Sequence, residues 1–293
     1  MKKSLLFEIF LLTILVGLTP IAGKIAVKEI DPFAIVIMRY IIAIITLRII
    51  LFASKRKIKF DRKDWKIFLG LSLSGIVLNQ ILFITGLKYT VPSHPPLLYS
   101  TCPIWILLYN SLKYSIKIDK KILFSALIAI SGVVVVLGKN LIIYNKNILL
   151  GDGILLFAVA CWTLYLIFGK KIIQKYGPIE TTYILLIIGF IIYSPFGIYR
   201  MTQLSFSQIS IDAWIGLVYM GIFTTALSYA LYYSILRHIE TSKVGILISA
   251  QPPTTIFFSV LLGFEALQFN LILGTFLIIG GILFAKSKKL RSN

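Results

Sequence analysis

Ten long apolar stretches separated by short polar joints account for almost all of the 293 residues. They run roughly over 4–23, 33–53, 67–87, 94–112, 121–138, 151–168, 179–199, 213–236, 244–264 and 269–285. A helix needs about 20 residues to cross a hydrocarbon core roughly 30 Å thick, so each stretch predicts one transmembrane helix. Pro32, Pro92, Pro178 and Gly263 punctuate the joints. Asp31, Asp152, Glu180 and Asp212 stand near helix starts, where the helix dipole favours an acid. The longest joints, 54–66 and 200–212, have room for little more than a turn of interfacial helix, so no soluble domain is expected.

Two stretches carry prolines where a spanning helix would otherwise be continuous. Pro103 lies inside the fourth, and Pro252 and Pro253 lie inside the ninth. Proline removes a backbone donor and clashes with the preceding turn, which frees carbonyls that lipid cannot satisfy. Such a break is tolerated only under the cover of other helices or beside a wet cavity. These two helices are therefore expected to wall a central cavity.

Composition agrees with the pattern: 58% of residues are hydrophobic and 14% charged, which identifies an integral membrane protein. The net charge of +19 sits at the ends of the apolar stretches, so its expected partner is membrane lipid and not nucleic acid. With a cytoplasmic N-terminus, 22 lysines and arginines fall on the inner side against 6 on the outer, with Arg39 and Arg48 inside the second span. That bias predicts a multi-pass protein of the cytoplasmic membrane with both termini inside. Cys102 and Cys161 fall in apolar stretches and read as packing residues. The start, Met1 to Ala22, has the layout of a signal peptide. Glu8 interrupts its apolar middle and the segment has a counterpart in the second half, so it is read as a retained first span.

The two halves repeat. Trp65 and Trp214, Lys88 and Arg237, Pro103 and Pro252, and Gly132 and Gly281 are all 149 residues apart. Upstream, Lys24 pairs with Lys170 and Pro32 with Pro178, both at 146. Five spans per repeat is an odd number, so the second repeat must enter the membrane from the opposite side. The expected fold is thus an all-α integral membrane protein, with ten transmembrane helices as two inverted five-helix repeats, residues 1–143 and 144–293. In such repeats, substrate binds near the midplane between the halves.

Several residues in this order resemble one family. They are Lys24 near the end of span one, Arg39 in span two, Leu87-Lys88-Tyr89-Thr90 closing span three, the prolines of spans four and nine, Gly263-Phe264-Glu265 after span nine, and a glycine-rich last span. Together they are similar to the EamA family of the drug/metabolite transporter superfamily, over nearly the whole chain. The resemblance implies a ten-helix carrier, often an exporter of amino acids, other metabolites or toxic compounds, with its cavity between spans one, three, four, six, eight and nine. The first repeat departs from the pattern: Tyr114-Ser115-Ile116 stands where the second has Gly263-Phe264-Glu265, and span four opens with Pro92-Ser93-His94-Pro95-Pro96.

Helical spacing selects the faces that would line the cavity. Span three presents Ser72, Gly75, Asn79 and Phe83, with Gln80 one position round; span eight presents Thr225, Ser228, Tyr229 and Tyr232. Span four adds Tyr99, span six Trp162 and Tyr165, and span nine Gln251. Aromatic walls with a few amides and hydroxyls suit a small amphipathic solute. The same amides can instead bond neighbouring helices, and the tyrosines can be packing or interfacial residues. His94 and His238 lie near helix ends, where capping or solvation is expected. Arg39, about two turns into span two, is read as an anchor for freed carbonyls, with an anionic solute group as the alternative.

Apart from the helix-start acids, only Glu8 and, at the exit of span nine, Glu265 appear as acids in the apolar stretches, and neither is deeply placed, so transport is expected to be uncoupled, or coupled through Glu8. Lys24 is a further candidate for a charge role. No nucleophile, metal or nucleotide motif is visible, so neither an enzyme nor a cofactor is expected. The functional expectation is a secondary transporter of a small organic solute, with export the favoured direction and a homodimer an admissible assembly. A non-transporting scaffold or sensor subunit is the alternative.

Overall fold

The computed structural model describes residues 3–58, 60–113, 120–142, 145–238 and 251–285, and among these every regular element is helical. Six helical segments are long and apolar enough to cross a membrane: Phe7–Ala26, Pro32–Ala53, Arg62–Tyr89, Lys146–Tyr176, Pro178–Thr202 and Ile211–Ile235. They coincide with predicted spans one, two, three, six, seven and eight. Predicted span four is broken in two, predicted spans five and ten are the continuous helices Lys120–Ile142 and Phe269–Ala285, and predicted span nine is described from Gln251 onward.

The first span is two pieces, α1 (Lys3–Gly17) and α2 (Thr19–Ala26), with Pro20 in the first turn of the second. A single helix, α3 (Pro32–Ala53), forms the second span. Its start was legible: Pro32 takes a position where a missing N–H costs nothing, and the Asp31 carboxylate accepts from Phe33 N and Ala34 N. The third span comprises α4 (Trp65–Leu71), a π-helical segment (Ser72–Leu78) and α5 (Asn79–Tyr89). The fourth is broken into α6 (His94–Tyr99) and α7 (Cys102–Lys113). The interruption at Ser100 and Thr101 places Pro103 in the first turn of α7, as the sequence predicts for a broken helix.

Next come α8 (Lys120–Ile142), α9 (Lys146–Tyr176) and α10 (Pro178–Thr202). Gly177, at φ +92°, makes the corner between α9 and α10, a conformation that glycine adopts without penalty. Span eight comprises α11 (Ile211–Tyr219), a second π-helical segment (Met220–Ser228) and α12 (Tyr229–His238). Ser210 caps α11 through its Oγ, while its N–H and hydroxyl both donate to Glu29 and hold that carboxylate below its ordinary range. The last two helices are α13 (Gln251–Leu261) and α14 (Phe269–Ala285). Pro252 and Pro253 lie within the described part of α13; the part of the predicted ninth span before Gln251 lies outside the described residues, as do Tyr114-Ser115-Ile116.

The two π-helical segments were not anticipated. They sit at matching places in the two halves, Ser72 against Gly221 and Leu78 against Leu227, at the 149-residue offset. In the second, side chains satisfy the loosened backbone: Thr225 Oγ1 donates to Met220 O at 2.9 Å, and Ser228 Oγ to Phe223 O at 2.8 Å.

Helix contacts obey the same offset. α8 and α14 run antiparallel, and a Cβ at Gly132 would lie 2.7 Å from Gly274 O, while one at Gly281 would lie 2.7 Å from Ser125 O. Adding 149 to Ser125 and Gly132 gives Gly274 and Gly281, so the two contacts interchange under the repeat. Stripes of small residues let helix backbones approach this closely in lipid. A second antiparallel pair, α3 and α10, is closed at each end by an ion pair, Arg200 with Asp31 and Arg56 with Glu180.

Candidate solute cavity

Spans one, two, three, four, six, eight and nine surround one cavity of about 90 Å³. That exceeds the roughly 10–15 Å³ required for a single water, so with its polar side chains the space has room for water or a small solute. Of the eleven predicted contact residues, nine line it: Asn79, Gln80, Phe83, Tyr99, Trp162, Ser228, Tyr229, Tyr232 and Gln251. Val16, Thr19, Pro20, Arg39, Pro95, Pro96 and Thr224 complete the wall.

Aromatic rings form the body of the wall. Trp162 meets Tyr229 edge to face at 5.2 Å and Tyr232 at 5.7 Å between centroids, and Tyr99 meets Phe83 at 6.0 Å. Such pairs are individually worth about 0.5–1.5 kcal/mol beyond their buried area. Polar groups cross-link the helices behind these rings. Asn79 Nδ2 donates to Tyr99 OH at 2.6 Å and to Ala158 O at 2.9 Å, tying α5 to α6 and α9. Gln80 Nε2 donates to Tyr229 OH at 2.5 Å, joining α5 to α12. Thr19 and Thr224 join α2 to the second π-helical segment through their hydroxyls, 2.9 Å apart.

Two predicted contact residues stand behind the wall. Tyr165 is fully buried, stacked between Trp162 at 4.9 Å and Tyr233 at 5.3 Å, and its ring covers Gly75. It supports Trp162 from behind. Thr225 faces Arg39, whose Nη2 and Nε donate to its hydroxyl at 2.9 and 3.2 Å. Arg39 therefore reaches the loosened carbonyl of Met220 only through Thr225, and it also forms part of the cavity wall.

The remaining charged candidates lie elsewhere. Lys24 Nζ donates to the carbonyls of Leu87, Lys88 and Thr90 at 2.5–3.0 Å, capping the C-terminal end of α5, where a cation is favoured. Glu8 is half-buried in α1 and is not among the lining residues. Glu265 accepts from Ser93 Oγ at 2.6 Å. The expectation that no acid is deeply placed is corrected by Asp152, only 2% exposed, which accepts from Thr90 Oγ1 at 2.7 Å and lies 2.8 Å from His94 Nδ1. Position alone read Asp152 as a helix-start acid and His94 as a helix-end residue; their pairing across α6 and α9 left no signal in the spacing. Thr19 and Thr224 were also missed, although the repeat marks them: the offsets that relate the halves carry Tyr165 to Thr19 and Gly75 to Thr224.

Apolar spanning helices around a cavity walled by aromatic and polar side chains define a multi-pass membrane protein. Comparison with known proteins gives the family. The sequence matches the EamA-like transporter family twice, over residues 3–138 and 149–286. The chain belongs to that family. Relatives include YetK, an uncharacterised transporter of Bacillus subtilis, 26% identical over 94% of this chain and 84% of its own. YyaM of the same organism, also an uncharacterised transporter, is 27% identical over 93% and 90%. YhbE of Escherichia coli, an uncharacterised inner membrane transporter, is 25% identical over 92% and 87%. One solved crystal structure shares the fold over 100% of both chains at a TM-score of 0.71, with 17% identity.

Proposed function

We propose that the protein is a secondary carrier that moves a small organic solute by alternating access, with export the expected direction. The observation that carries this reading is the position of the cavity, around the hydrogen bond between Gln80 and Tyr229, residues that correspond in the two repeats. Inverted-repeat carriers bind substrate at that interface and open by rocking one half against the other. The antiparallel packing of α8 and α14 in repeat register supports opposite insertion of the halves, and with it the ten-span arrangement. The inner-side excess of basic residues, 22 against 6, supports cytoplasmic termini and a place in the cytoplasmic membrane.

The scaffold or sensor alternative offers no account of a polar and aromatic cavity between the two halves. The test is counterflow in liposomes holding the purified protein, across organic acids, amino acids, nucleosides and organic cations, with and without a pH gradient. A carrier gives saturable flux of one class. Tyr229→Ala, Tyr232→Ala and Gln251→Ala each lower that flux while the protein still inserts. Normal flux in all three would remove this cavity as the site, and no flux from folded wild-type protein would favour the scaffold.

A further inference from the structure

Among the residues that line the cavity, two carry buried side-chain atoms with no hydrogen-bond partner, Arg39 Nη1 and Tyr232 OH. Arg39 is 1% exposed, and its other two hydrogen bonds go to a neutral hydroxyl, Thr225 Oγ1. Among the described residues no aspartate or glutamate lines the cavity, and Arg39 forms none of the ion pairs found there. A buried guanidinium without a counter-charge among these residues, with an unpaired phenol elsewhere in the same wall, lacks an acceptor that carries negative charge. Guanidinium is the side-chain group whose planar donors best fit a carboxylate, and a phenolic hydroxyl can donate to the same group.

We propose that Arg39 and Tyr232 form the anion subsite of this cavity, and that the solute is a small organic monocarboxylate with an apolar or aromatic body. The rest of the wall narrows the class. Among the described residues Arg39 is its one cation, which matches a single negative charge better than a phosphate dianion, and the absence of a lining acid among them leaves an ammonium group without an ionic partner. Trp162, Tyr99, Phe83 and Tyr229 provide the surface for the body. The assignment deepens the carrier reading and rests on it.

The test measures thermal stabilisation and Kd for purified full-length protein with benzoate, phenylacetate and isobutyrate, each beside its own amide, and with benzylamine. Carboxylates are expected to raise the unfolding midpoint by a few degrees, and the amides and benzylamine to leave it in place. Tyr232→Phe should weaken carboxylate binding about tenfold, the typical consequence of losing a hydrogen bond to a charged group. Arg39→Met should abolish carboxylate binding, and Arg39→Lys should restore part of it. Equal stabilisation by acid and amide, or by none of the carboxylates, overturns the assignment from wild-type protein alone, whether or not the Arg39 variants fold. Retention of benzoate binding by folded Arg39→Met overturns it as well. Flux separates the two readings: saturable transport of a neutral or cationic solute without carboxylate binding keeps the carrier and removes the anion subsite. Carboxylate binding without flux of any solute keeps the subsite and removes the carrier.

Discussion

Gln80 Nε2 donates to Tyr229 OH across a sequence separation of 149 residues, the same offset that relates the two halves of the chain. Residues that correspond in the repeats and also touch must lie beside the axis that exchanges the halves. The cavity is lined by both of them, so it lies at the seam between the two halves. Gln80→Leu should cost about 0.6–1.7 kcal/mol and Tyr229→Phe, which also gives up the 3.4 Å bond from Tyr229 OH to Gly75 O, somewhat more; the double variant should cost little more than Tyr229→Phe alone, since the bond the two residues share is already lost. Unfolding in detergent measures this. Additive losses would mean that the two side chains act separately.

The glycines of the last span allow a sharper comparison. A Cβ at Gly281 would meet the Ser125 carbonyl at 2.7 Å and the Ala129 N at 2.8 Å, whereas one at Gly280 would meet nothing within 4 Å. Gly281→Ala should therefore push α14 from α8 and destabilise the protein by about 1–3 kcal/mol. Gly280→Ala, one residue away, should be neutral or stabilising by up to about 1 kcal/mol through helix propensity. Thermal midpoints of the two variants, measured side by side, check the packing. Equal effects would be inconsistent with it.

The buried group of Asp152, His94 and Thr90 holds α6 against α9 beside the cavity-lining prolines Pro95 and Pro96. Removing one partner of a buried pair costs more than the pair contributes, because the other is left without compensation. Asp152→Asn should cost about 2–3 kcal/mol, and Asp152→Asn with His94→Gln should recover part of that loss. Both are read from unfolding midpoints.

Helix ends and broken helices were legible because their signals are local. Asp31 before Pro32, and Gly177 before Pro178, mark starts and corners within three residues of sequence, and Pro103 marks the break in span four. The cavity was legible face by face, since helical spacing places Asn79 with Phe83, and Ser228 with Tyr232. That spacing is coarse, however: Tyr165 is three positions from Trp162, close enough to share a stripe and far enough round to stand behind the ring instead of beside it. The π-helical segments left no trace, as serines, threonines and glycines suit either helical period. Arg39 was visible as a charge in a span, but its partner Thr225 is 186 residues away, and only the assembled helices reveal that a guanidinium nitrogen is left unpaired.

The ion pairs of α3 and α10 give a test of membrane orientation. Arg200 bonds Asp31 where α3 begins and α10 ends, and Arg56 bonds Glu180 where α10 begins, just past the end of α3. The 146-residue offset carries Asp31 to Gly177, three positions from Glu180, and Arg56 to Thr202, two from Arg200, so the pairs are near-counterparts. Antiparallel helices that each cross the bilayer place these pairs on opposite faces, Arg56 inside and Arg200 outside by the distribution of basic residues. With Cys102 and Cys161 replaced by alanine, Arg56→Cys should react with a membrane-impermeant maleimide only from the cytoplasmic side, and Arg200→Cys only from the other. The arginines are partly exposed but Glu180 and Asp31 are only 11% and 24% exposed, so losing either arginine should cost about 1–3 kcal/mol, and the labelling is read on variants that still insert. Labelling of both from one side would contradict a full crossing by α3 and α10, and labelling from the reversed sides would invert the orientation while leaving the fold intact.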